Sequence, residues 1–177
     1  MNRNRMNLQL MDANLTTGRL QLRPCSRLDI EFLHTLWMND RIRYYLFDDR
    51  IISHEESRTF IEASLNSFER HGYGLWLVHH QNQCIGFAGF LDTEAIPSLI
   101  YGIHPDFWGQ GYATEAARAV LEYGLRILKL QEVNADVDEP NIASVQVLRK
   151  LGMKQVNRTL VNGRPLLYFS IEPDSEE

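Results

Sequence analysis

Phe107-Trp108-Gly109-Gln110-Gly111-Tyr112-Ala113-Thr114-Glu115-Ala116 is the stretch whose reading decides the fold. It follows a short apolar run, Leu99-Ile100-Tyr101-Gly102-Ile103, and leads into a helical pattern from about Thr114 to Leu128. A strand, a glycine turn and a helix start make an anion cradle: glycines let the backbone come close, and the free amides of a helix N-terminus point at the ligand. Gly109-Gln110-Gly111 alone also fits a plain turn, since short glycine motifs are weak signals. A dinucleotide fingerprint fails because it needs glycine where Thr114 stands, and a P-loop fails because no Gly-Lys-Ser/Thr follows. What remains is a pyrophosphate site built from consecutive amides near residues 109–114.

Working outward, residues 19–23 alternate with period two and end at Pro24, which predicts a strand. Ser26 with Asp29, and Ser53 with Glu56, have capping-box spacing and open two helices. The first carries Ile30, Leu33, Leu36 and Trp37, and the second Phe60, Ile61, Leu65 and Phe68. Runs at 74–79 and 84–91 predict a hairpin, and 98–103 a further strand closed by His104-Pro105. In the helix after the glycine turn, Ala113, Ala117, Val120, Gly124 and Ile127 form the stripe expected to be buried. Residues 132–137 predict a strand. Asn141 caps a short helix that stops at Gly152. Asn162-Gly163 turns a final hairpin. The order β-α-α-β-β-β-α-β-α-β-β specifies an α/β (α+β) domain with a mixed sheet, not a doubly wound repeat.

At 177 residues and 44% hydrophobic, the chain is expected to form one domain. Residues 1–14 are expected to be a loose arm, 15–173 the domain and 174–177 an acidic tail. A net charge of −5 argues against generic nucleic-acid binding and mildly favours cationic acceptors. No run approaches transmembrane length, and Cys25 and Cys84 match no metal-ligand spacing. These features lead to the expectation of a cytoplasmic protein without metal, nucleic acid or membrane as partner.

Taken with Ile85-Gly86, Asn141-Ile142-Ala143-Ser144 and Leu148-Arg149-Lys150-Leu151-Gly152-Met153, the glycine turn resembles that of the GNAT superfamily of acyl-CoA-dependent N-acetyltransferases. The likeness is to the RimJ/RimL branch, whose opening strand Leu20-Gln21-Leu22-Arg23-Pro24 matches, and it covers about residues 15–172. The resemblance implies a mostly antiparallel mixed sheet with splayed central strands and helices on both faces. It also implies acetyl-CoA as co-substrate. The amides of Gly109, Gln110, Gly111, Tyr112, Ala113 and Thr114 would hold the coenzyme A pyrophosphate. Pantetheine would bond backbone near Gly102, Ile103 and His104, beside Asn141, and the Ile103 amide would polarise the thioester. In many relatives a helix tyrosine protonates the departing thiolate; Leu148 stands there, and the RimJ/RimL likeness implies the serine of Asn-x-x-Ser, Ser144, as the candidate instead. The branch often carries a glutamate where Ser98 stands, so a usual base is missing.

Tyr44, Tyr45 and Phe47 are candidates for acceptor contacts, with Asp48 and Asp49 to attract a cation. Asp92 and Glu94 are candidate cleft carboxylates, and solvated loop residues on the other reading. Freeing an α-amine of its proton at pH 7 costs about 1 kcal/mol, and freeing a lysine amine about 4.6 kcal/mol. A site short of a base therefore favours an N-terminal α-amine of a protein. The alternatives are a small-molecule amine and an inert acyl-CoA-binding sensor, and the protein is expected to be a monomer or homodimer.

Overall fold

The computed structural model describes residues 13–93 and 95–173. The expected acidic tail, most of the expected arm and Glu94 lie outside them. Ala13 is buried, and the Trp76 indole donates to its carbonyl at 2.6 Å.

Among the described residues, one sheet of eight strands organises the fold. The strands are β1 (Leu15–Thr16), β2 (Leu20–Pro24), β3 (Leu75–His80), β4 (Gln83–Leu91), β5 (Ser98–Ile103), β6 (Val133–Asp138), β7 (Lys154–Val161) and β8 (Arg164–Ile171). The order across the sheet is β1-β2-β3-β4-β5-β6-β8-β7. Every pairing is antiparallel except β5 with β6, which is parallel and is registered at one place, Ser98 opposite Asn134. Beyond that point the two strands part toward their carboxyl ends. The register of β4 against β3 shifts at Val78/His79, a bulge next to this gap.

Helices cover both faces. On one face lie α1 (Ile30–Met38), α2 (Asp40–Leu46) and α3 (His54–His71), packed on Leu75, Leu77 and Phe87 through Leu33, Leu36, Trp37 and Ile61. On the other lie α4 (Tyr112–Glu122) and α5 (Ile142–Lys150), packed on Ala88, Phe90, Leu99 and Ala135 through Ala116, Ala117, Val120 and Leu148. Both capping boxes form: Ser26 with Asp29 opens the 3-10 turn before α1, and Ser53 with Glu56 opens α3.

The structure departs from the sequence expectation at three elements. A separate helix, α2, occupies what reads as the end of the first helix and a loop. Asn39 caps it, and only Ile42 of it is buried, so it lacks an apolar stripe to betray it. β1 is an additional strand paired with β2. Finally, α4 starts at Tyr112 and runs into a π turn, Tyr123–Ile127. The extra residue in that turn rotates the later side chains. Leu125 and Leu128 pack inward instead, and Ile127, expected in the buried stripe, is 68% exposed.

Candidate active site

The glycine turn is built as an open cradle. Gly109 and Gly111 have φ of 75° and 81°, the left-handed region that favours glycine. A Cβ on Gly109 would meet nothing within 4 Å, so the turn faces open space. Gly111 is the N-cap of α4 and no side chain caps the helix. The first helical bond runs from the Glu115 amide to the Gly111 carbonyl, which leaves the amides of Tyr112, Ala113 and Thr114 without an intrahelical acceptor.

Arg19 braces this turn. It donates to the Gln110 carbonyl at 2.9 Å and to Glu115 at 2.7 Å, and its guanidinium lies 4.5 Å from the Tyr112 ring centre. Glu115 also accepts from the Thr17 hydroxyl and the Arg19 amide. Burial alone would raise the Glu115 carboxyl, but these donors outweigh it and hold the group below its usual range. Glu115 is therefore a charged fastener. A groove of about 990 Å³ continues from Gly111 and Thr114 along the outer flank of α4, past Arg118, Arg126 and Lys150.

The β5–β6 gap supplies the second part. The His104 amide donates to the Ile85 carbonyl at 2.7 Å. Alternation along an antiparallel ladder then turns the backbone groups of Gly102 toward β4 and those of Tyr101 and Ile103 toward the gap. Consistent with this, a Cβ on Gly86 would stand 2.2 Å from the Gly102 carbonyl oxygen. The His104 carbonyl accepts from the Phe107 amide, so both backbone groups of His104 are committed. The Trp108 indole donates to the Ile103 carbonyl. Among Gly102, Ile103 and His104, the donor aimed into the gap is the Ile103 amide.

Across the gap, the Asn141 side chain accepts from the Ser144 amide at 3.2 Å and caps α5. The half-buried Ser144 hydroxyl makes no hydrogen bond within the described residues. Tyr101 escapes a sequence reading because it lies in an apolar strand. Its phenol donates to the Ser144 carbonyl at 3.2 Å and so ties β5 to α5 over the gap. Burial pushes this phenol well above its ordinary range and keeps it neutral.

The acceptor candidates separate. Tyr44 and Tyr45 are exposed on α2, edge to face at 4.9 Å. The Arg164 guanidinium of β8 lies 5.1 Å from the Tyr44 ring centre and donates to Asp48 at 2.9 Å. Phe47 instead stacks on Phe60 at 5.7 Å and meets Trp37 at 6.1 Å, so its ring serves the helical layer. Asp92 follows β4 next to the start of β5, the closed end of the splay, where it lies 3.4 Å from His71. It is not brought together with Tyr44. Asp48 and Asp49 both adopt left-handed backbone, at φ 52° and 64°. Arg43 holds that turn through the Asp49 carbonyl and carboxylate.

Two further carboxylates join this mouth. Val133, Ala135 and Val137 of β6 are buried against α4 and α5, so Asn134, Asp136 and Asp138 point to the face of α1–α3. Burial raises both carboxyl groups; Asp48 and Asp136 raise Asp138 further, and Arg164 opposes them. Among the described residues, no group of three or more His, Cys, Asp or Glu is placed to hold a metal, and no helix is long and apolar enough to cross a membrane.

A parallel splay beside a glycine cradle is the architecture of an acyl-coenzyme A transferase, and comparison with known proteins agrees. The acetyltransferase (GNAT) domain family matches residues 19–154, and the chain belongs to that family. It transfers an acetyl group from acetyl-CoA to an amine. The uncharacterized protein YkkB of Bacillus subtilis is 30% identical, over 80% of this chain and 85% of its own length. The spermidine N(1)-acetyltransferase of Escherichia coli K12 is 28% identical, over 75% and 72% respectively. Among solved structures, the RimL ribosomal L7/L12 alpha-N-protein acetyltransferase in complex with coenzyme A superposes with a TM-score of 0.79, at 20% identity, covering 92% of this chain and 99% of that one.

Proposed function

We propose that the protein acetylates the N-terminal α-amine of a polypeptide by direct attack in a ternary complex. The observation that carries this reading is the Ile103 amide standing in a gap one rung deep, between an amide cradle and an acidic mouth. The amides of Tyr112, Ala113 and Thr114 take the pyrophosphate of acetyl-CoA, and Arg118, Arg126 and Lys150 suit the rest of a polyphosphate nucleotide. Pantetheine lies along β5 and bonds the backbone of Tyr101 and Ile103 that faces the gap. The Ile103 amide donates to the thioester oxygen and to the oxyanion that forms from it. The Ser144 hydroxyl, or a water it holds, gives a proton to the departing thiolate, and Tyr101 keeps α5 in reach.

The acceptor enters between α2 and β6. Asp48 and Asp138 attract the ammonium form, and Tyr44 and Tyr45 offer apolar walls. The low cost of deprotonating an α-amine favours a polypeptide N-terminus. The same acidic mouth, with the likeness to spermidine N(1)-acetyltransferase, supports a polyamine as the second reading.

The test is acetyl-CoA with three acceptors: peptides with a free N-terminus, N-blocked peptides carrying lysine, and spermidine. Each product is read by mass. Acetylation of the free N-termini in preference to the others is expected. Preference for spermidine selects the second reading, and preference for lysine overturns both.

A further inference from the structure

We propose that Asp136 of β6 accepts the proton released by the attacking amine, so that the base of this enzyme stands across the gap from the strand that carries Ser98. The inference rests on the transfer reading above.

Its first support is topological. Ser98 and Asn134 are partners in the parallel pair, and Asp136 is two residues further along β6 on the same face. Two residues of strand are about 6.6 Å. Asp136 therefore stands further into the opening than Ser98, level with Ile100 and short of Ile103, on the face from which the acceptor comes.

The second support is that Asp136 is uncommitted. Its carboxylate has no partner among the described residues beyond its own backbone amide. The other carboxylates near the site are occupied or remote. Glu115 is tied to Thr17 and Arg19, Asp106 sits by His104 on the turn after β5, and Asp92 is at the closed end with His71. Glu132, just before β6, accepts from Ser170. Asp138 lies nearer the entrance and feels Arg164 directly. The charged and titratable groups next to Asp136 are Asp138 on its own strand and Tyr168 opposite it on β8, while Arg164 of β8 and Asp48 after α2 act on Asp138, and Tyr44 of α2 lies under Arg164. The facing β5 positions, Ser98 and Ile100, carry no charge.

Third, the side chain is exposed and opens on the gap, and the partial desolvation it meets there raises its carboxyl. A base raised toward the working pH takes up a proton with less cost than an ordinary aspartate.

The step balances as follows. The amine lone pair forms the C–N bond to the thioester carbon, and the carbonyl π pair moves to oxygen under the Ile103 amide. The N–H proton passes to the Asp136 carboxylate. Collapse of the intermediate breaks the C–S bond, and the sulfur leaves with the electron pair and receives its proton from the Ser144 side. Solvent later takes the proton from Asp136 and returns one to the Ser144 side.

The experiment compares wild type, D136N, D136E and D138N with acetyl-CoA and a saturating acceptor, from pH 5 to pH 9. For the wild type, kcat falls on the acid side through a carboxyl group above the ordinary aspartate range. D136N loses that inflection and about 10²-fold in kcat, while its acetyl-CoA Kd and melting temperature stay at the wild-type values. D136E recovers part of kcat. D138N keeps the inflection and raises the acceptor KM. If D136N retains kcat and the inflection, or if D138N alone loses them, Asp136 is not the base and the transfer reading stands. If the wild type acetylates no amine while binding acetyl-CoA, both fall.

Discussion

Ser144 occupies the first turn of α5 with its amide held by Asn141, its carbonyl held by Tyr101 and its hydroxyl without a partner among the described residues. That pattern fixes the residue and leaves its reactive atom available. Ser144→Ala is expected to lower kcat at least tenfold with little change in acetyl-CoA affinity, as steady-state kinetics beside calorimetry would show; an unchanged kcat removes Ser144 from the mechanism. The two thiols behave oppositely. Burial pushes Cys25 and Cys84 up to about 11. At pH 7.5 both should resist alkylation in the native protein and react on unfolding, which mass spectrometry would record. Legibility at this scale followed chemistry. Gly109 and Gly111 take left-handed backbone, and their spacing announced the turn, whereas the role proposed for the Ile103 amide came from the family resemblance. Asp136 and Asp138 did not stand out, because an alternating Asn-Ala-Asp-Val-Asp reads as a strand with one solvated face until the sheet order sets that face beside a gap. Phe47 looked like Tyr44 and Tyr45 in sequence. A change of direction at α2 separates them, and no local pattern carries that information.

Among the elements, α3 and α4 contrast in how they begin. The α3 start is closed by Ser53 and Glu56, and that of α4 is left open. The Ser53 backbone amide, then Arg50, hold the Glu56 carboxyl down at about 2. The folded value is below the unfolded one, so the contribution is complete above about pH 4.3 and is lost as pH falls through about 2. Glu56→Gln should lower the melting temperature at pH 7, and the difference from wild type should shrink toward pH 2. Ser53→Ala should cost roughly 1 kcal/mol in urea unfolding. The open start of α4 predicts a different loss. Gly111→Glu forces a side chain into left-handed backbone and sets a carboxylate among the cradle amides. Coenzyme A binding by calorimetry should vanish, and retained binding would refute the cradle. Both capping boxes and the Asn162-Gly163 hairpin were legible because their signals are local. The π turn was not, because no local sequence pattern marks the extra residue that brings Leu125 and Leu128 inward.

For the whole molecule, the sheet is two hydrogen-bonded blocks, β1–β5 and β6–β8, that meet at one rung. Strand content could be read from the sequence, but a pairing between residues 98 and 134 depends on the whole chain. A ligand bonded to β5 and reaching α5, as proposed for acetyl-CoA, would hold the blocks together. At 100-fold Kd, acetyl-CoA should stabilise folding by about 2.7 kcal/mol. Hydrogen exchange should slow at Tyr101 and Ile103 more than in β3; uniform slowing would contradict this arrangement.

That single rung also bears on self-association. An exposed strand border invites another strand to add to it. Here two such borders face one another inside the molecule, too close at the apex for a further polypeptide to enter with its side chains. On the reading proposed above, a pantetheine arm, thin and carrying amides of its own, would serve as a guest strand that a protein segment cannot imitate. On that reading the fold guards an unfinished sheet by closing its vacancy at one rung, where a further strand has no room to pair.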